Sequence, residues 1–127
     1  MNYLLDVSTL VALLTETHAQ HKLTRSWFAG KKAVLCPFSE LGFIRVTMSP
    51  AHNFTMEQAR RALSDFYRDE PAEFLAADIS ALAGQPSPSA GKSTDWYLAN
   101  LAKEHGMKWA TLDKTASHPA RELVGCK

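Results

Sequence analysis

Residues 2–14 read NYLLDVSTLVALL, and the way this stretch divides decides the fold. Its first part is a short apolar run closed by an acid, Asp6. Beyond it the period changes, with Leu10, Leu13 and Leu14 at i, i+3, i+4, the spacing of one helix face. A strand passes into a helix across Asp6. A secretory signal is a poor reading of the same residues, because no basic segment leads them and Asp6 interrupts the apolar run.

The strand-to-helix unit recurs along the chain. A second helix is expected from about His18 to Phe28, with Ala19, Leu23 and Trp27 on one side and a stop at Gly30. AVLCP (33–37) is a β-favouring run, followed by SELGFIRVTM (39–48), where Leu41, Ile44 and Met48 have helical spacing behind a Ser39 cap. Thr55 and Gln58 form a capping box ahead of Met56, Ala59, Leu63, Phe66 and Tyr67, a strongly amphipathic helix that ends near Asp69, before Pro71. EFLAAD (73–78) reads as a third strand, ISALAG (79–84) as a short helix or turn, and QPSPSAGKS (85–93) as a loop. STDWYLANLA (93–102) opens a helix in which Leu98, Leu101, Ala102 and His105 share a face, with Ser93 or Thr94 as its cap. KWATLD (108–113) is a fourth strand and ELV (122–124) a short fifth.

Alternating strands and helices with short connections give a three-layer α/β/α domain with a mainly parallel sheet of four to five strands, since parallel neighbours need crossovers. At 127 residues the chain has the size of one domain, with no linker or repeat. No apolar run approaches the roughly 20 residues that span a bilayer. Cys36 and Cys126 are too far apart in sequence to suggest a CxxC motif, and a reduced cytoplasm fits. With 14 Lys and Arg against 13 Asp and Glu, the net charge of +1 excludes binding of nucleic acid by bulk electrostatics. Such a partner would be held locally, and Arg45, Lys92 and Lys114 are the basic residues near the motifs.

In an open parallel sheet the ligand site lies beyond the carboxyl ends of the strands. Asp6 ends the first strand, Glu40 follows the second, Asp113 ends the fourth, and Asp95 starts the helix feeding the fourth. Each has a local explanation as cap, dipole partner or turn residue. As a set they repel, at about 4 kcal/mol per close pair at an effective dielectric of 20, so their convergence calls for a cation. Oxygen ligands alone suit Mg²⁺ or Mn²⁺, ions that meet substrate phosphates and promote phosphodiester hydrolysis. Asp78, at the end of the third strand, is a cap that could reach the same edge.

Four segments, LLDVSTLVALL (4–14), CPFSELGFIRV (36–46), STDWYLANLAKEHG (93–106) and WATLD (109–113), together resemble the PIN-domain ribonucleases, and among them the VapC toxins of bacterial toxin–antitoxin modules. The resemblance implies a PIN-like fold over residues 1–127 and an acidic metal-binding quartet of Asp6, Glu40, Asp95 and Asp113, with Ser8 and Thr111 as polar neighbours orienting it. It also implies a homodimer, a cognate VapB-like antitoxin that covers the site, and structured RNA such as tRNA as substrate. The chain departs from the commonest pattern after Asp113, where no further acid stands two residues on.

Other readings stand beside this one. A PIN fold without catalysis would serve as a scaffold for a protein partner. DVST (6–9) is similar to the D-x-D-x-T loop of aspartyl-phosphate phosphatases, with Ser8 where the second Asp belongs, and a receiver-type domain would need an acidic pair after the first strand. His18 and His21 could share a metal or form a solvated pair. Trp27, Phe28, Phe43 and Trp109 fit a core better than a base-stacking platform.

Overall fold

The computed structural model describes residues 2–125, so Cys126 lies outside the described residues. Five strands form one all-parallel sheet in the order β3-β2-β1-β4-β5: β1 (Asn2–Leu5), β2 (Lys32–Leu35), β3 (Ala72–Phe74), β4 (Lys108–Thr111) and β5 (Arg121–Leu123). The helices are α1 (Val7–Leu14), α2 (His21–Phe28), α3 (Pro37–Thr47), α4 (Met56–Asp69) and α5 (Ser93–Glu104).

Side chains of the inner strands alternate between two buried faces, as a sheet covered on both sides requires. Leu5, Ala33, Leu35 and Ala110 enter a core with residues of α1 to α4, among them Leu10, Phe43, Leu63 and Phe66. Leu4, Val34 and Trp109 enter a second core with Trp96, Leu98, Leu101 and Ala102 of α5. The three layers are thus α1–α4, the sheet, and α5. Trp27, Phe28, Phe43 and Trp109 are all buried, as expected of core aromatics. Among the described residues no helix is long and apolar enough to cross a membrane.

The chain order creates a switch point. From β1 the chain builds outward through β2 and β3, then crosses to the other side of β1 to lay down β4 and β5. Neighbouring connections part between β1 and β4, the kind of place where open α/β sheets bind their ligands.

Several local expectations change. The second helix starts at His21, three residues later than expected, because residues 15–20 close turns of their own: His18 N–H donates to Thr15 O and His21 N–H to His18 O. Its buried side is consequently Thr24, Trp27 and Phe28, while Leu23 is exposed. Pro37 opens α3, at the position where a missing N–H costs nothing, and Ser39 lies inside the first turn. Residues 79–84 form a turn, with Ala83 N–H on Ser80 O, and β3 stops at Phe74. Neither Ser93 nor Thr94 caps α5. A 3₁₀ turn (Ala90–Lys92) leads into it, Lys92 is the N-cap residue without a side-chain capping bond, and Ser93 Oγ donates back to Ala90 O at 2.7 Å. The box on α4 forms as read, Gln58 N–H to Thr55 Oγ1 at 3.1 Å and Thr55 N–H to Gln58 Oε1 at 2.8 Å.

Candidate active site

Asp6 leaves β1 at the switch point and is only 2% exposed. Its backbone N–H donates to Ala110 O of β4, and its Oδ1 accepts Thr9 N–H at 2.7 Å, capping α1. Its Oδ2 accepts Thr111 Oγ1–H at 2.6 Å. No basic side chain is paired with it among the described residues. Burial pushes its carboxyl up to about 6, partly offset by the Thr111 and Thr9 bonds, and the charge of Asp95 adds to the rise.

Thr111 ends β4 fully buried, and its oxygen also accepts Asp113 N–H at 3.0 Å, so one hydroxyl ties both acids to the strand end. Asp113 Oδ1 accepts the Thr115 N–H at 2.9 Å and hydroxyl at 2.7 Å, and Oδ2 accepts Lys92 Nζ at 3.1 Å. The Thr115 bonds, then Lys92, hold this carboxyl below its ordinary value. Asp95 sits in the first turn of α5, half-buried, and its carboxylate accepts no hydrogen bond among the described residues. Burial raises its carboxyl, Asp113 raises it further, and Lys92 opposes them.

The Thr111 hydroxyl thus links Asp6 to the Asp113 backbone, while the charge of Asp95 acts on Asp6 and that of Asp113 on Asp95. Glu40, in the first turn of α3 past β2, is held by Tyr67 of α4, whose phenol donates to Oε2 at 2.9 Å. Burial, then the Glu40 contact, pushes the Tyr67 phenol well above its ordinary value. Both line a groove of about 500 Å³ between α3 and α4 with Pro37, Leu41, Ile44 and Arg60. Among the described residues no three His, Cys, Asp or Glu side chains stand close enough to share an ion as placed. The donor set still suits a hard cation. It is built of carboxylate oxygens, and its most buried member carries a charge that only neutral hydroxyl and amide donors stabilise.

Ser8 is exposed and its side chain makes no hydrogen bond among the described residues, whereas Thr9 holds Asp6 through its N–H and sends its hydroxyl to Ala110 O at 3.3 Å. Thr9 and Thr115 were legible as D-x-x-T and D-x-T spacings, which are cap and turn patterns. Tyr67 had no local signal. Asp78 lies elsewhere, 2.9 Å from His105 Nε2 at the far end of α5. Arg45 and Lys114 are exposed, and Lys92 is the basic residue that reaches the acids. His21 Nδ1 is taken by Ala12 O and His18 Nδ1 by Gln20 N–H, while His52 stacks on His18 at 6.4 Å.

A family model described as PIN domain matches residues 3–122. Ribonuclease VapC38 of Mycobacterium tuberculosis is 33% identical over 87% of this chain and 84% of its own, and ribonuclease VapC44 is 29% identical over 91% and 88%. Two solved structures share the fold. VapBC2 from Rickettsia felis, bound to a DNA fragment from its promoter, has a TM-score of 0.61 at 14% identity, covering 97% of both chains. VapC20 of M. tuberculosis, a sarcin–ricin loop cleaving toxin, scores 0.63 at 10% identity over 98% of both.

Proposed function

The chain belongs to the PIN-domain family, alongside its VapC ribonucleases, and from that premise we propose that it is a single-domain, Mg²⁺- or Mn²⁺-dependent endoribonuclease, the toxin of a toxin–antitoxin pair. The observation that carries this reading is Asp6: a carboxylate buried at the switch point, bound by neutral donors, and tied through the Thr111 hydroxyl to the backbone of a second acid, Asp113. Such a cluster gains most from a divalent cation.

Asp6, Glu40, Asp95 and Asp113 would hold the ion. When bound, it stabilises charge developing on the phosphoryl oxygens and acidifies water at the site. Thr9 and Thr111 fix both oxygens of Asp6, and Thr115 fixes Asp113, so these carboxylates need little reorganisation. Asp95, whose oxygens carry no other hydrogen bond, is the group to accept a proton from the attacking water. Tyr67 orients Glu40 from the α4 side.

The likeness to VapC proteins supports structured RNA as substrate, a VapB-like antitoxin as partner, a homodimer as the working form and the cytoplasm as its place. An aspartyl-phosphate mechanism fits poorly, because both oxygens of Asp6 are engaged and the residue is buried.

The test is cleavage of an end-labelled structured RNA pool with Mg²⁺, with Mn²⁺ and with chelator, by the wild type and by Asp95→Asn. Internal cuts that need the metal and fall by about 10²-fold or more in the variant are expected. Absence of metal-dependent cutting under every condition would leave the scaffold reading in its place, and full activity in Asp95→Asn would remove that residue from the chemistry.

A further inference from the structure

Lys92 occupies a position that local physics disfavours. It is the N-cap residue of α5, makes no capping hydrogen bond, and brings a positive charge to the positive end of the helix dipole. Its side chain turns instead across to the loop after β4, where Nζ lies 3.1 Å from Asp113 Oδ2 and 3.3 Å from Thr115 Oγ1. One positive charge thus reaches from the start of α5 to an acid and a hydroxyl of the loop after β4.

We propose that Lys92 is a built-in counter-ion, whose ammonium steadies Asp113 in the absence of a divalent cation and must leave Asp113 Oδ2 for one to bind. The proposal rests on the reading of Asp113 as a cation ligand and adds a competitor to it. The contact is suited to exchange. It is one ion-pair bond and one hydroxyl bond from a compact ammonium on a flexible stem, the lysine and aspartate side chains are 37% and 32% exposed, and Thr115 holds Asp113 Oδ1 through bonds of its own. Withdrawal into solvent opens Oδ2 without moving the carboxylate.

Chelator-stripped wild type, Lys92→Met, Lys92→Gln and Lys92→Arg are titrated with Mn²⁺ by calorimetry, and their melting is followed in chelator. Lys92→Met and Lys92→Gln are expected to bind Mn²⁺ roughly five- to twentyfold tighter and to melt lower without metal, with Lys92→Arg near wild type in both. In an Asp113→Asn background the melting effect of Lys92→Met should shrink. Wild-type binding that is no weaker than in two folded variants overturns the counter-ion alone and leaves the nuclease reading standing. Absence of Mn²⁺ binding in every chain overturns both.

Discussion

Thr111 Oγ1 donates to Asp6 Oδ2 at 2.6 Å across 105 positions of sequence, and the same oxygen accepts Asp113 N–H at 3.0 Å. The hydroxyl is the joint between two strand ends and two acids. Thr111→Val keeps the shape and deletes both bonds, leaving a buried carboxylate with one donor fewer. Loss of about 1–3 kcal/mol of stability is expected by chemical denaturation, with RNA cleavage down by about 10-fold or more, and Thr111→Ser should recover most of both. Equal damage from Val and Ser would show that the methyl group matters and the hydroxyl does not.

Asp6 makes the metal-free protein sensitive to pH in a definite direction. Its folded carboxyl, at about 6, lies above its ordinary 3.8, so the folded state holds the proton more tightly. The associated stability is fully present below about pH 4 and lost as pH rises through 6, a difference of about 3 kcal/mol. Asp95 shifts the same way and Asp113 the opposite way. Asp6→Asn retains the cap on α1 and removes the charge. In chelator, melting of the variant relative to wild type should rise between pH 5 and pH 7.5, while cleavage is lost. Parallel melting curves at all pH values would contradict the burial of that charge.

Tyr67→Phe tests the hold on Glu40 without touching the sheet. The phenol donates a single, half-exposed bond, so stability should fall by only about 0.5–1.5 kcal/mol. Glu40 would then sample orientations away from the edge, and a higher Mn²⁺ requirement for cleavage is expected, with kcat at saturating metal little changed. A fall in kcat with no change in metal requirement would assign the phenol a different part.

Gly84 has φ of +71°, and a Cβ there would come within 2.5 Å of the Asn100 amide. That amide accepts Gln85 N–H and His118 Nε2–H and donates to Ala83 O and Gln85 O, fastening the loop that leads to Lys92 onto α5. Gly84→Ala should cost about 1–3 kcal/mol and expose the 85–92 segment to proteolysis well before global unfolding. Unchanged protease resistance would mean the loop is held elsewhere.

The sequence carried most of the architecture because its signals were local: the change of period across Asp6, the Thr55–Gln58 box, Pro71 after Asp69. Where local signals competed, tertiary context chose. Ser39 was read as a cap but lies inside α3, with its hydroxyl donating to Leu5 O of β1 at 3.3 Å. Three adjacent capping residue types at 93–95 supply no side-chain cap to α5, since the 3₁₀ turn already brings the chain in helical geometry. At the site, Asp6 and Asp113 were visible as strand-end residues, Glu40 and Asp95 as acids at helix starts, and Thr111 through its place beside Asp113. The pairing of Tyr67 with Glu40 spans 27 residues and two helices, and no pattern of spacing announces it.

The order of the strands has a consequence for how the protein is made. β1 is synthesised first yet lies in the middle of the sheet, between β2 and a β4 that begins at Lys108. Asp6 therefore spends translation without Thr111, Asp113 or Asp95, and α1 starts from a cap whose second hydrogen-bond partner has not yet been made. Every shorter nascent chain lacks the edge on which the acids meet. This topology keeps the acids apart until nearly the whole sheet has emerged from the ribosome.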